Sequence, residues 1–178
     1  MHKEIGKILK DSLPSNYSLI RDKACGGKQR IPLFCIANKS RVTEYCNIDL
    51  LIIKENKIRI VVEIEESNVK PTQICGKFLT SALAHCYIHN SNNNEPIEMD
   101  ESVTFIQIVD ASRLMKDRTS KFKQLKTLEK SINRIIPLKN SKITKYRLFS
   151  TDELDKLASF IKKLLEDCAM SGVSIPEK

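Results

Sequence analysis

The sequence predicts an α/β fold, a mixed β-sheet flanked by helices. Three observations lead there. Ile58, Ile60, Val62 and Ile64 alternate with Arg59, Val61, Glu63 and Glu65, the period of a strand. Apolar residues recur at helical spacing near residues 5–13, 74–86, 122–135 and 154–168. Strand-like and helix-like runs are interleaved, in the order helix, four strands, helix, strand, helix, strand, helix. The chain has 178 residues, so we expect one domain over residues 1–178.

The first helix covers residues 3–13, with Ile5, Ile8, Leu9 and Leu13 on one stripe and Pro14 as its stop. Strands follow at Tyr17–Lys23 and Ile31–Ala37, separated by a Gly26-Gly27 turn. A third strand, Tyr45–Lys54, and a fourth, Ile58–Glu65, form a hairpin across Glu55-Asn56-Lys57. Pro71 suits the start of a long helix over residues 72–89, because its missing N–H would have had no intrahelical partner. Its core side is Ile74, Phe78, Leu79, Ala82, Leu83 and Cys86. Residues 91–96 form a polar loop and Val103–Val109 a fifth strand. A helix over 121–136 turns Phe122, Leu125, Leu128, Ile132 and Ile135 inward, and 145–149 is a short sixth strand. Ser150-Thr-Asp-Glu153 matches a capping box and opens the last helix.

Thirty Lys and Arg against 22 Asp and Glu give a net charge of +8. Twelve of the basic residues fall between Arg113 and Arg147 (Arg113, Lys116, Arg118, Lys121, Lys123, Lys126, Lys130, Arg134, Lys139, Lys142, Lys145, Arg147), opposed within the segment by Asp117 and Glu129. A concentrated patch of this kind suits a polyanionic partner such as nucleic acid, although a solvated lysine-rich helix has the same composition. No apolar run approaches the ~20 residues of a membrane span, and residues 1–4 lack the apolar core of a secretory signal. A cytoplasmic location without membrane contact is expected. The six cysteines form no Cys-x2-Cys pair, so they read as small buried residues rather than zinc ligands. His85 and His89 stand four apart on the predicted helix, but no third ligand lies near them in sequence. Gly26-Gly27 and Gly76 fit no phosphate-binding loop.

Three acids carry the chemistry. Asp49 interrupts the apolar run Ile48–Ile53, and Glu63 and Glu65 end the strand across the hairpin. Burying a carboxylate costs several kcal/mol unless it is paired or bound to metal. Like charges brought together by a hairpin repel. A hard divalent cation relieves both penalties, and oxygen ligands without a Cys/His cluster select magnesium or manganese. The bland alternatives are acids at a strand end paired with lysines, and an Asp49 that caps a turn or pairs with Arg41 or Arg59.

Asp49, a hairpin of about a dozen residues, and Glu63-Ile64-Glu65 together resemble the core of the PD-(D/E)XK nuclease superfamily. The resemblance covers roughly residues 1–110. It implies the restriction-endonuclease-like fold, whose helix–strand–strand–strand–helix–strand core matches the order above. It also implies that Asp49 and Glu63 bind Mg2+, with Mn2+ as a substitute. Two departures stand out: Ile48 replaces the usual Pro before the Asp, and Glu65 occupies the place of the usual Lys. Some members carry Glu there, and others move the Lys to the following helix, where Lys77 is available with Gln73 on the same face. Glu4 is the candidate for a first-helix acid, although a first-turn acid is favoured by the helix dipole in any case. Arg41 and Glu44 would border the site.

The activity so implied is a metal-dependent endonuclease hydrolysing phosphodiester bonds in double-stranded DNA. Asp49, Glu63, Glu65 and the carbonyl of Ile64 are the metal-site candidates, and Glu65 or Lys77 positions the attacking water. A homodimer would place two such sites on a duplex. The alternative is a catalytically inactive protein of this fold that binds nucleic acid or serves in assembly. The missing motif Lys supports it.

Overall fold

The computed structural model describes residues 1–66, 69–110, 112 and 118–170, with the side chains of residue 118 and of residues 167–170 left aside. Among these lie four helices, α1 (His2–Ser12), α2 (Pro71–Ala82), α3 (Arg118–Ile135) and α4 (Leu154–Met170). Eight strands form one mixed sheet: β1 (Ser18–Arg21), β2 (Pro32–Phe34), β3 (Glu44–Asn47), β4 (Leu50–Lys54), β5 (Lys57–Glu65), β6 (Cys86–Tyr87), β7 (Ile97–Val109) and β8 (Ile143–Ser150). The order is β1-β4-β5-β7-β6-β2-β3, with β8 also paired to β7. β1, β4 and β5 are antiparallel in turn, whereas β5, β7 and β8 run parallel.

The sheet separates two cores. Ile5 and Leu9 of α1 and Leu157, Ile161, Leu164 and Leu165 of α4 cover the face bearing Ile60, Val62, Ile64, Ile106 and Ile108. Ile74 and Phe78 of α2 and Leu125 and Ile132 of α3 cover the other, bearing Val61, Phe105, Val109, Tyr146 and Leu148. The alternation along β5 thus sorts its side chains between two layers of helices. Ile58 departs from that alternation: a register shift between Ile58 and Ile60 moves it to the α2/α3 side. The hairpin turn is tight because Glu55 and Asn56 both take positive φ, 52° and 57°, as a two-residue turn of matching twist requires.

Several predicted elements need correction. The expected strand Tyr45–Lys54 is two strands, since the chain changes partners at Ile48 and Asp49. The Ile48 N–H donates to the Ile31 carbonyl, and the Asp49 carbonyl accepts from the Asp22 N–H. The expected helix over 72–89 stops at Ala82, and Cys86–Tyr87 becomes a strand between β2 and β7. Leu79 and Leu83, expected in the core, are each 47% exposed, while Ser81 is buried. Ile135 is exposed as well. His85 and His89 therefore share no helical face, and the spacing that suggested a shared metal disappears. The fifth strand is longer than expected, starting at Ile97. Pro71 at the first turn of α2 and the Ser150/Glu153 capping box stand as expected. No helix among the described residues is long and apolar enough to cross a membrane. Cys168 lies outside the described side chains.

Candidate active site

Asp49 sits in the two-residue link between β3 and β4, at the point of partner exchange. Its Oδ2 accepts the Ile64 N–H at 2.7 Å, so the carboxylate reaches across to the end of β5. Glu63 stands there fully buried, at 0% exposure, with Glu65 two residues on at 12%. Lys77, 41% exposed and in the second turn of α2, places Nζ 3.1 Å from Glu63 Oε2 and 3.7 Å from Glu65 Oε1. Phe78, the next residue, is buried among Phe105 and Tyr146 and anchors that turn of the helix. The helix that buries Phe78 thus delivers the Lys77 ammonium to the acids.

The electrostatics follow from this crowding. Burial pushes the Glu63 carboxyl well above its usual range, the Asp49 charge adds to the push, and Lys77 opposes it. Burial also raises Asp49, against the pull of the Ile64 N–H. Glu65 is raised by burial and by Asp49, against Lys77. Burial alone would lower Lys77, but the charges of Glu63, Glu65 and Asp49 hold it above its usual value. Glu63 Oε1 is buried without a hydrogen-bond partner, although Asp49 adjoins it. Two ionised carboxylates are both acceptors and cannot satisfy each other. A proton kept on Glu63 against Asp49, or a bound cation, relieves the crowding that Lys77 leaves.

No family model, curated protein or solved structure matches the chain.

The geometry brings Asp49, Glu63, Glu65 and Lys77 together, with the Ile64 backbone between them. Four other expectations do not survive. Glu4 is exposed, and the first helix instead turns His2 toward the acids, its Nε2 3.8 Å from Asp49 Oδ1 and its Nδ1 2.7 Å from Glu66 Oε1. Gln73 is spent on the helix start, where its Oε1 accepts the Lys70 N–H at 3.3 Å. Glu44 bonds to Arg30 and Asn47, and Arg41 is exposed in the turn before β3, so neither joins the acids.

Sequence reasoning missed three residues. His2 has no signal beyond its place at a helix start. Asp22 lies at the end of β1, where its Oδ1 accepts the Cys25 N–H at 2.8 Å. Asp22, Cys25 and Asp49 offer ligand atoms all within 4.8 Å of one another. Burial, then Asp49 and Asp22, push the Cys25 thiol far up, so it stays protonated and is a poor ligand for a hard ion. Asp22 thereby adds an acid beside Asp49. Gln107, buried on β7 in register with Glu63, carried the same signal as Asp49: a polar residue within an apolar stretch, Phe105–Val109.

The basic segment resolves into two classes. Lys126 pairs with Glu129 and Glu153, Lys142 with Glu101, and Arg147 with Glu129. Glu129 is a buried strut that also accepts the Leu148 N–H. Lys123, Lys130 and Arg134 are exposed at helical spacing on α3, and Lys139 and Lys145 are exposed beyond it. Arg113, Lys116 and Asp117 lie outside the described residues.

Proposed function

We propose that the protein is a magnesium-dependent endonuclease of restriction-endonuclease-like fold that hydrolyses phosphodiester bonds in DNA. The observation that carries the reading is the approach of Lys77 to Glu63 and Glu65 beside Asp49. The ammonium missing at position 65 is supplied from the next helix. The order α1, β1, β4, β5, α2, β7 supports the fold assignment: three antiparallel strands, a crossing helix and a parallel fourth strand. β2, β3 and β6 are then additions at one side of the sheet.

The donor set fits a hard cation, since it is built of carboxylate oxygens and holds a buried oxygen with no partner. Asp49, Glu63 and the carbonyl of Ile64 would hold the ion; Glu65 does not form a three-acid cluster with Asp49 and Glu63 within 4.8 Å, and would act from outside the ligand set. A magnesium ion bound there supplies a polarised phosphoryl oxygen and a more acidic water. Lys77 fixes the orientation of Glu63 and Glu65 and offers its remaining N–H groups to a water or a phosphate oxygen. Glu65, less buried than Glu63, would accept a proton from that water. The exposed Lys123, Lys130, Arg134, Lys139 and Lys145 supply charge for a nucleic-acid backbone.

Supercoiled plasmid incubated with the protein in Mg2+ or Mn2+ tests the reading. Cleavage that disappears on chelation and in Asp49→Ala and Glu63→Gln variants is the expected result. Intact plasmid in both metals, with salt-sensitive binding retained, would replace the nuclease with a nucleic-acid-binding protein of the same fold.

A further inference from the structure

The turn after β1 brings a different set of donor atoms to Asp49. Between Asp22 and Gly27 the chain doubles back on itself. The Gly27 N–H donates to the Asp22 carbonyl at 2.7 Å, and the Cys25 N–H donates to Asp22 Oδ1 at 2.8 Å. Position 27 has to be glycine, since a Cβ there would collide with the Arg21 carbonyl. The Asp22 N–H donates to the Asp49 carbonyl at 2.9 Å, which ties the turn to the link between β3 and β4. Asp22, Cys25 and Asp49 then offer two carboxylate oxygens and a sulfur, all within 4.8 Å of one another.

Two further groups face Asp49. Gly6 lets α1 lie against the turn, where a Cβ would stand 2.5 Å from the Cys25 carbonyl oxygen. On the same helix His2 reaches Asp49, its Nε2 3.8 Å from Oδ1, beyond hydrogen-bond length. Its other ring nitrogen lies 2.7 Å from Glu66 Oε1. A carboxylate on one nitrogen, with the second nitrogen turned toward a donor cluster, is how metal-ligating imidazoles are oriented. From β5, Asp49 receives the Ile64 N–H and a second acid. That acid is Glu63, fully buried, with an Oε1 that has no hydrogen-bond partner.

We propose that Asp22, Cys25 and Asp49 bind Zn2+, with His2 the nearest nitrogen for its fourth position. Carboxylate oxygen, thiolate sulfur and imidazole nitrogen are the ligand classes of zinc, whereas magnesium takes oxygen and water. Burial, then the charges of Asp49 and Asp22, keep the Cys25 thiol protonated in the metal-free protein. Zn2+ displaces that proton to solvent as the sulfur–metal bond forms, and its charge offsets the two carboxylates. The ion ties α1, the turn after β1 and the β3–β4 link together at one point. This site shares Asp49 with the magnesium reading and takes nothing else from it, so it does not rest on nuclease activity.

Co2+, a spectroscopic stand-in for zinc, tests the site when titrated into the full chain under reducing conditions. The parent should develop a sulfur-to-cobalt charge-transfer band in the near ultraviolet and the visible bands of a four-coordinate ion, and added Zn2+ should abolish both. Cys25→Ser should lose the charge-transfer band. Asp22→Asn, which keeps the size of the side chain, and His2→Ala should each bind Co2+ about tenfold or more weakly. Glu63→Gln should keep the spectrum. A parent without the charge-transfer band, or a band that survives Cys25→Ser, would overturn the site. Parent-like affinity in His2→Ala would overturn the fourth ligand. Because Cys25 is buried and its replacement can disturb folding, thermal melts give a second measure: Zn2+ should raise the melting temperature of the parent and not of Asp22→Asn, and an equal rise in both would count against the site. Plasmid left intact in Mg2+ by a protein that shows the cobalt spectrum would refute the nuclease reading and leave the zinc site standing.

Discussion

The two ends of β5 are built from opposite charge arithmetic. At its start, Lys57 pairs with Glu98 at 2.6 Å and Arg59 with Asp100, and nearby Lys142 pairs with Glu101 at 2.7 Å. These residues, Arg59 excepted, line a cavity of about 220 Å3 in which each acid has its base. At its finish, Glu63 and Glu65 converge on Lys77, and Asp49 binds the Ile64 N–H between them, with His2 at the margin and Asp22 beside Asp49. Balanced pairs complete a surface. An acid surplus around a buried carboxylate stores repulsion that a bound cation removes. On the proposed reading, function sits at one end of the strand and stability at the other.

Neutralising each end in turn separates their roles. Glu63→Gln and Asp49→Asn should reduce metal-dependent plasmid cleavage to background while leaving the melting temperature of the metal-free protein unchanged or higher. Asp100→Ala, at the balanced end, should leave cleavage intact and destabilise the fold by about 1–3 kcal/mol, the usual consequence of stranding a partly buried donor, as read by denaturant unfolding. Equal loss of cleavage at both ends would erase the distinction.

Lys77→Met tests the acid surplus from the other side. It should lower metal-free stability at neutral pH by about 1–2 kcal/mol, a figure kept small because Lys77 is 41% exposed. Millimolar Mg2+ or Mn2+ should recover much of the loss, because the ion replaces the missing charge. A variant whose unfolding ignores both metals would argue against a site at these acids.

The two ends should also titrate in opposite senses. The Glu63 carboxyl is held well above its usual range by burial and by Asp49. The folded state therefore retains a proton that the unfolded state has released, and stability falls as pH rises from the ordinary carboxylate range through the Glu63 titration. Asp49 and Glu65, also raised by burial, act in the same direction, and the raised Lys77 does so as well, but in the alkaline range. The Glu98 carboxyl is held low by its hydrogen bond to Lys57 and by that charge, so its contribution is present above the ordinary carboxylate range and is lost as pH falls. Glu63→Gln should flatten the decline above the carboxylate range, and Glu98→Gln should leave it untouched, in pH-dependent thermal melts without metal.

The smallest effects belong to α3. Lys130→Gln and Arg134→Gln should weaken DNA binding modestly and reduce the salt-dependence slope by about one each, read in fluorescence anisotropy across salt concentrations. Lys142→Gln, whose charge Glu101 already holds, should change the slope less.

Much of this was legible in the residues, for identifiable reasons. The β4–β5 hairpin declares itself through alternation and the polar turn Glu55-Asn56-Lys57, of which Lys57 already belongs to β5. Asp49, Glu63 and Glu65 stand out because acids are rare in apolar strands. Lys77 was reachable through the helix period after Pro71. What stayed hidden depends on partner choice. In the run Tyr45–Lys54 the polar Asn47 and Asp49 bracket the point where β3 leaves β2's side and β4 joins β5, but an acid there reads equally as a site residue within one strand. Cys86 is apolar whether a helix or a strand buries it, so the end of α2 at Ala82 carried no signal. Gln73 has a helix-surface composition that serves the helix start as readily as a site. Twelve basic residues in one segment concealed that Glu101 and Glu153, from outside it, neutralise two of them.

Crystals soaked in Mn2+ and measured for anomalous scattering would locate the ion itself. A peak is expected within bonding distance, about 2.0–2.3 Å, of oxygens from Asp49 and Glu63 and of the Ile64 carbonyl, and it should vanish in Glu63→Gln crystals. Carboxylates that remain bound to Lys77 alone, with no ion among them at millimolar Mn2+, would contradict a cation site at these acids.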